Sequence, residues 1–186
     1  MGPVRSPRGS ARPARRYPIL LGLSPSSPPD VSLLPPETPA SGLRYKRSRF
    51  ATRIPTERRY TAGHLWLLEA EPGLWRVGFT KFALRMLGDP VELDFEVEPD
   101  APVERGQVIG WVEGFKAVSD VFAPMDGTFA GENPALVDDV DLLHRRPYDE
   151  GWLFALRGVP GEDCVDAQGY AGHLDATIDR MLERGS

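Results

Sequence analysis

The chain has 186 residues, with 22 basic and 27 acidic side chains, three histidines and one cysteine. A lone Cys164 excludes an intrachain disulfide and a cysteine-built metal cluster, and favours a reducing compartment. His64, His144 and His173 are too scattered for ligand spacing, so no metal site is expected.

Charge and proline divide the chain near position 59. Residues 1–59 hold eleven Arg and one Lys against Asp30, Glu37 and Glu57, together with eleven of the nineteen prolines. Residues 60–186 hold ten basic and twenty-four acidic residues. Proline at that density removes backbone donors and stops helices and ladders from propagating. The expectation is a disordered or extended basic leader over 1–59 and one domain over 60–186, a usual size for a single core. The first 29 residues lack acids, a faint trait of transit peptides, but their prolines oppose the amphipathic helix such peptides form. The apolar run Tyr17–Leu23 is far too short to span a bilayer. Neither a membrane nor a nucleic-acid partner is expected.

The 60–186 segment reads as a small β-rich domain with frequent Gly and Pro turns. Leu65–Leu68 and Leu74–Phe79 are strand candidates joined through Pro72-Gly73. Thr80 can cap a short helix from Lys81 to Leu87, with Gly88 free to adopt the left-handed turn that ends it. Val91–Val97 alternates apolar and acidic residues, which puts Val91, Leu93, Phe95 and Val97 on one face. Its Glu92, Asp94 and Glu96 are then a solvated strand face rather than paired catalytic carboxylates. Asp138, Asp139 and Asp141 read the same way.

Val108–Gly127 reads as a hairpin with Lys116 at its turn. Such a lysine is exposed and has few neighbours, so it makes a poor catalytic base. It suits the attachment of a swinging prosthetic group, with the chemistry residing in the cofactor. Gly127–Asn133 and Gly151–Leu156 are further strands, with a short helix or irregular stretch over Pro134–Leu143. Cys164–Arg184 reads as an amphipathic helix with Tyr170, Leu174, Ile178 and Leu182 on one face. Trp66, Trp75, Trp111 and Trp152 are read as packing residues, His64 as a hydrogen-bonded structural residue and Cys164 as inert.

Four segments, in order and spacing, carry a family resemblance. They are Tyr60-Thr61 with His64 and Trp66, then Val77-Gly78-Phe79-Thr80 with Ala83 and Leu87-Gly88-Asp89. The third is Val112-Glu113-Gly114-Phe115-Lys116-Ala117-Val118-Ser119-Asp120 with Ala123-Pro124 and Gly127. The fourth is Pro147-Tyr148-Asp149-Glu150-Gly151-Trp152-Leu153 with Tyr170 beyond. Here the chain resembles the H proteins of the glycine cleavage system and, more broadly, lipoyl and biotinyl carrier domains.

The resemblance implies a mainly β fold, a flattened barrel or sandwich with a short internal helix and a C-terminal helix. It implies lipoate in amide linkage to Lys116, and a carrier rather than an enzyme, with no catalytic residue of its own. The aminomethyl group would pass from a pyridoxal-phosphate glycine decarboxylase to an aminomethyltransferase. A dihydrolipoamide dehydrogenase would reoxidise the arm, and a lipoylating enzyme would load it. The implied location is cytoplasmic, or the mitochondrial matrix in a eukaryote. Glu113 and Asp120 match acids flanking the lysine, and Gly127 matches a glycine permitting a tight turn on the far side of the hairpin. Phe115 and Ala117 replace the methionines that flank a biotinylated lysine, which favours lipoate.

His64, Leu65 and Phe82 fall where the arm cleft is expected. Two of them depart from the family pattern: Leu65 stands where Glu is usual, and Thr80-Lys81-Phe82-Ala83 replaces Thr-Asp-His-Ala. Neither Leu65 nor Phe82 can pair with a protonated amine. Two alternatives therefore stand beside glycine cleavage. One is an H-like lipoate carrier of another pathway, such as heterodisulfide-reductase-like sulfur oxidation. The other is an unmodified scaffold acting through its basic tail.

Overall fold

The computed structural model describes residues 41–184. The expected leader over 1–40 lies outside them. Over 42–59 the expectation of disorder is corrected. Gly42–Arg47 (β1) and Phe50–Pro55 (β2) pair antiparallel, and Arg59–Tyr60 (β3) opens the main sheet. The basic composition hid an alternating pattern in which Tyr45, Phe50 and Ile54 face inward and are buried, while Arg44, Lys46 and Arg53 face out. Proline is sparse in this stretch: Pro55 alone, at the end of β2.

The remaining elements are Leu65–Glu71 (β4), Leu74–Phe79 (β5), Lys81–Leu87 (α1), Pro90–Phe95 (β6), Pro102–Val103 (β7), Val108–Gly114 (β8), Val118–Phe122 (β9) and Gly127–Glu132 (β10). Ala135–Asp138 (α2), Leu142–Arg145 (α3), Phe154–Gly158 (β11) and Ala167–Arg184 (α4) follow. A six-stranded sheet in the order β3-β4-β5-β11-β10-β7 and a three-stranded sheet β6-β8-β9 enclose one core. Leu67, Val77, Ile109, Val112, Phe129, Phe154 and Leu156 fill it, each at most 2% exposed. This is the mainly β barrel-sandwich that the sequence implied.

A second core lies under α4. Tyr45, Phe50 and Ile54 of the β1–β2 hairpin pack with Tyr60, Trp66, Phe82, Leu174 and Ile178. Arg47 completes the junction by hydrogen bonding to Asp179 at 2.6 and 2.8 Å and to Asp175 at 3.2 Å. A two-stranded hairpin is marginal alone in water, so these side chains hold it in place. Ile54 is fully buried. Ile54→Ala is expected to cost about 2–5 kcal/mol, measured by urea unfolding of the full chain.

Two sequence expectations fail locally. Val91 is 49% exposed, because the β6–β8 register shifts between Pro90 and Glu92, and the bulge turns that side chain outward. Leu182 is 51% exposed, while Tyr170, Leu174 and Ile178 on the same helix face are buried.

Candidate functional site

Lys116 sits in the tight turn between β8 and β9, where Gly114 and Ala117 exchange backbone hydrogen bonds of 2.9 and 3.3 Å. The turn rests on the end of α1. Lys116 N donates to Leu87 O and Phe115 N donates to Asp89 O, both at 3.0 Å. The approach is close enough to exclude side chains on both sides. A Cβ on Gly88 would stand 2.9 Å from Lys116 Cγ, and one on Gly114 would stand 2.5 Å from Leu87 O. Gly88 also adopts φ 81°, in the left-handed region. Thr80 caps the other end of α1, its Oγ1 accepting from Ala83 N.

Lys116 is exposed, and its Nζ donates a 3.3 Å hydrogen bond to Arg85 O. Apolar groups ring the tip: Phe115 is 80% exposed, Val118 67% and Met86 44%. From there a cavity of about 700 Å³ runs between α1 and β9 to the segment Thr61–Leu65. Its walls are mainly apolar, with Leu65, Leu87, Val112 and Val118 among them. Arg105, Asp120 and Asp163 bring charge, and Arg105 pairs with Asp163 at 3.0 Å.

The sequence-derived residues distribute unequally around this geometry. His64, Leu65 and Asp120 line the cavity. Glu113 is exposed on β8 and does not line it. Phe82 is not in the cleft. It is 5% exposed in the second core, with its ring 5.2 Å from Phe50 and 4.6 Å from His64. Ala83, Met86 and Leu87 form the cavity side of α1, and Phe82, at the flank of that stripe one turn before Met86, packs instead against Phe50 of the second core. Gly127 is also reassigned. It lies in β10 opposite Val103 and Gly158, where an added Cβ would meet Arg157 O at 2.1 Å. Close strand approach demands glycine there, not a turn. Arg105 and Asp163 were not found from sequence, because their pairing across 58 positions follows from the fold alone.

His64 holds φ 63° at the start of β4, and its Nδ1 lies 2.9 Å from Tyr170 Oη. Tyr170 Oη in turn lies 2.8 Å from Thr80 Oγ1. The network joins α4, β4 and the α1 cap. Burial, aided by the charges of His173 and Arg180, lowers the His64 pKa to about 4. Between pH 6.5 and 4 the unfolded chain therefore binds a proton that the folded one refuses. His64 thus makes stability fall as pH drops through that window, by about 2–3 kcal/mol in all. His64→Asn, which tolerates φ 63°, is expected to flatten this part of the stability–pH profile, as measured by urea unfolding at pH 4 and pH 7.

Trp66 anchors the same, N-terminal end of α1. Its Nε1–H is shared between Phe79 O at 3.0 Å and Pro147 O at 2.9 Å. Arg58 stacks over the indole at 4.5 Å, and its Nη2 donates to Tyr148 O. Tyr148 Oη accepts from Lys81 N at 3.2 Å. Cys164 is buried, and burial raises its thiol pKa, so the inert reading stands.

The chain matches the sequence profile of the family described as Glycine cleavage H-protein over residues 58–168. It belongs to that family. The glycine cleavage system H protein of Micrococcus luteus is 41% identical over 124 residues, covering 64% of this chain and 96% of the relative. That of Kocuria rhizophila is 40% identical over 129 residues, covering 67% and 99%. Among solved structures, a glycine cleavage system H protein from Mycobacterium marinum aligns with TM-score 0.60 and 35% identity, covering 66% of this chain and 99% of that one. The match to the family profile begins after β2, so the β1–β2 hairpin precedes the shared domain. Among the described residues no helix is long and apolar enough to cross a membrane, and no group of side chains could hold a metal ion.

Proposed function

We propose that this protein is the lipoyl-carrying shuttle of a glycine cleavage system, with lipoate in amide linkage to Lys116. The observation that carries the reading is an exposed lysine on a turn docked against α1, beside a mainly apolar cavity of about 700 Å³. A long apolar arm fits that arrangement: the amine is open to a loading enzyme, and the cavity offers burial to a chain of methylenes. Lipoate, when bound, supplies a disulfide that takes up an aminomethyl unit and two electrons.

The chain's own residues position and shield. Backbone contacts to Leu87 and Asp89 fix where the tip stands. Acylation removes the Lys116 charge, so the amine's hydrogen bond to Arg85 O becomes a neutral amide contact or is released. Leu65 and Val112 exclude water from the cavity, and Asp120 is a rim carboxylate with no ion pair among the described residues. A pyridoxal-phosphate decarboxylase, an aminomethyltransferase, a dihydrolipoamide dehydrogenase and a lipoylating enzyme are the partners that this reading requires. It places the chain in the cytoplasm or a mitochondrial matrix, as a carrier with no active site of its own.

The test is expression in a lipoate-replete host, followed by peptide mass spectrometry and glycine–bicarbonate exchange with the cognate decarboxylase. Lipoyl mass on Lys116 with exchange activity is the expected result. Lipoyl mass without exchange would move the carrier to another pathway, and an unmodified lysine would end the reading.

A further inference from the structure

The β1–β2 hairpin precedes the family match and carries charge of the opposite sign to the domain that follows it. In its register Arg44 lies directly opposite Arg53, and Lys46 opposite Ala51, all on the outward face. Arg49 follows at the turn, where Ser48 takes φ 52°. Arg44, Lys46, Arg49 and Arg53 are exposed, and none of them has an ion pair among the described residues. Arg47 on the inward side contrasts with them, since Asp175 and Asp179 neutralise it. Like charges directly opposite on one face destabilise a strand pair. This hairpin keeps such a pair and holds no acid between Gly42 and Pro55.

The location is as telling as the charge. Arg85 Nη1 donates to Arg49 O at 3.3 Å, and Arg85 O accepts from Lys116 Nζ at 3.3 Å. One arginine thus links the hairpin tip to the lysine. Any enzyme that admits an arm from Lys116 must approach beside this basic element, on a protein whose remaining surface is rich in acids.

We propose that the outer face of the β1–β2 hairpin docks an acidic patch beside the mouth of an arm-receiving enzyme, in the same encounter that delivers Lys116. The proposal rests on the carrier reading. Arg44, Lys46, Arg49 and Arg53 steer the approach of that enzyme through charge, and the apolar tip around Phe115 and Val118 makes the close contact.

The test uses the full lipoylated chain and the variant Arg44→Glu/Lys46→Glu/Arg53→Glu. Charge reversal keeps like charges opposite one another, so the hairpin's own balance is preserved, and a thermal melt checks this. Both proteins are assayed as substrates of the decarboxylase, the aminomethyltransferase and the dihydrolipoamide dehydrogenase. For at least one enzyme the variant is expected to raise KM roughly tenfold at low salt with kcat within about twofold, the difference closing near 0.5 M salt. Arg44→Lys/Arg53→Lys is expected to keep the wild-type KM. An unchanged KM with all three enzymes, or a rise that salt does not relieve, overturns the proposal. So does a DNA oligonucleotide or a second copy of the chain binding the hairpin while every KM stays unchanged. Failure of the wild type to become lipoylated on Lys116 would instead defeat the carrier reading.

Discussion

Lys116→Arg is expected to leave the protein folded and wholly without lipoate, with glycine–bicarbonate exchange at background. Arginine keeps the positive charge and the aliphatic stem that runs past Gly88, so the turn has no cause to rearrange. Its guanidinium stays protonated and is not acylated under conditions that load an amine. A stricter form moves the amine by one residue, pairing Lys116→Ala with Ala117→Lys. The turn is pinned by the hydrogen bonds of Lys116 N to Leu87 O and Phe115 N to Asp89 O, so the displaced amine emerges elsewhere. Loading of that double variant is also expected to fail. Intact mass spectrometry reads both outcomes: modification of Lys116→Arg would show that another lysine bears the arm, and modification of the double variant at position 117 would show that the pinned turn does not select the amine.

The parts legible in the sequence were those whose signal is local. Thr80 and Gly88 bracket α1 as cap chemistry requires, and Pro72-Gly73 makes its turn with Gly73 at φ 74°. The hairpin of Lys116 was visible because two apolar runs flank one charged turn. What escaped depends on where elements meet. Its position in a motif points Phe82 to the cleft, yet Ala83, Met86 and Leu87 are the α1 residues that line it. The motif reads Gly127 as a turn glycine, whereas the approach of Arg157 O is what forbids a side chain there. The β1–β2 hairpin reads as leader because composition averages over alternation. Its Tyr45, Phe50 and Ile54 become informative once α4 supplies a surface to bury them.

Trp66 shows how the two cores bear on the lysine, and Trp66→Ala is expected to have the largest effect on stability of any single change at this site. The indole is 1% exposed, and its truncation removes packing worth about 3–5 kcal/mol. It also orphans Phe79 O and Pro147 O, which share its N–H. Arg58 is 8% exposed; its Nε lies 3.4 Å from Glu57 Oε1 and its Nη1 has no hydrogen-bond partner, so the indole face adds to Glu57 and Tyr148 O in compensating that buried guanidinium. For a domain of this size the melting temperature should fall by about 10–15 °C. Trp66→Phe keeps most of the packing and loses the donor, and is expected to cost about 1–3 kcal/mol. The functional consequence follows from connectivity. Phe79 precedes the Thr80 cap, Tyr148 holds Lys81 N, and the far end of α1 carries the carbonyl that binds Lys116 N. Loosening the start of α1 therefore shifts its end, and lipoylation of Lys116 should slow in Trp66→Phe while the lysine itself is unchanged. Timed mass spectrometry with a purified lipoylating enzyme measures that rate. A wild-type rate in a measurably destabilised Trp66→Phe would show that α1 does not transmit the anchor to the turn.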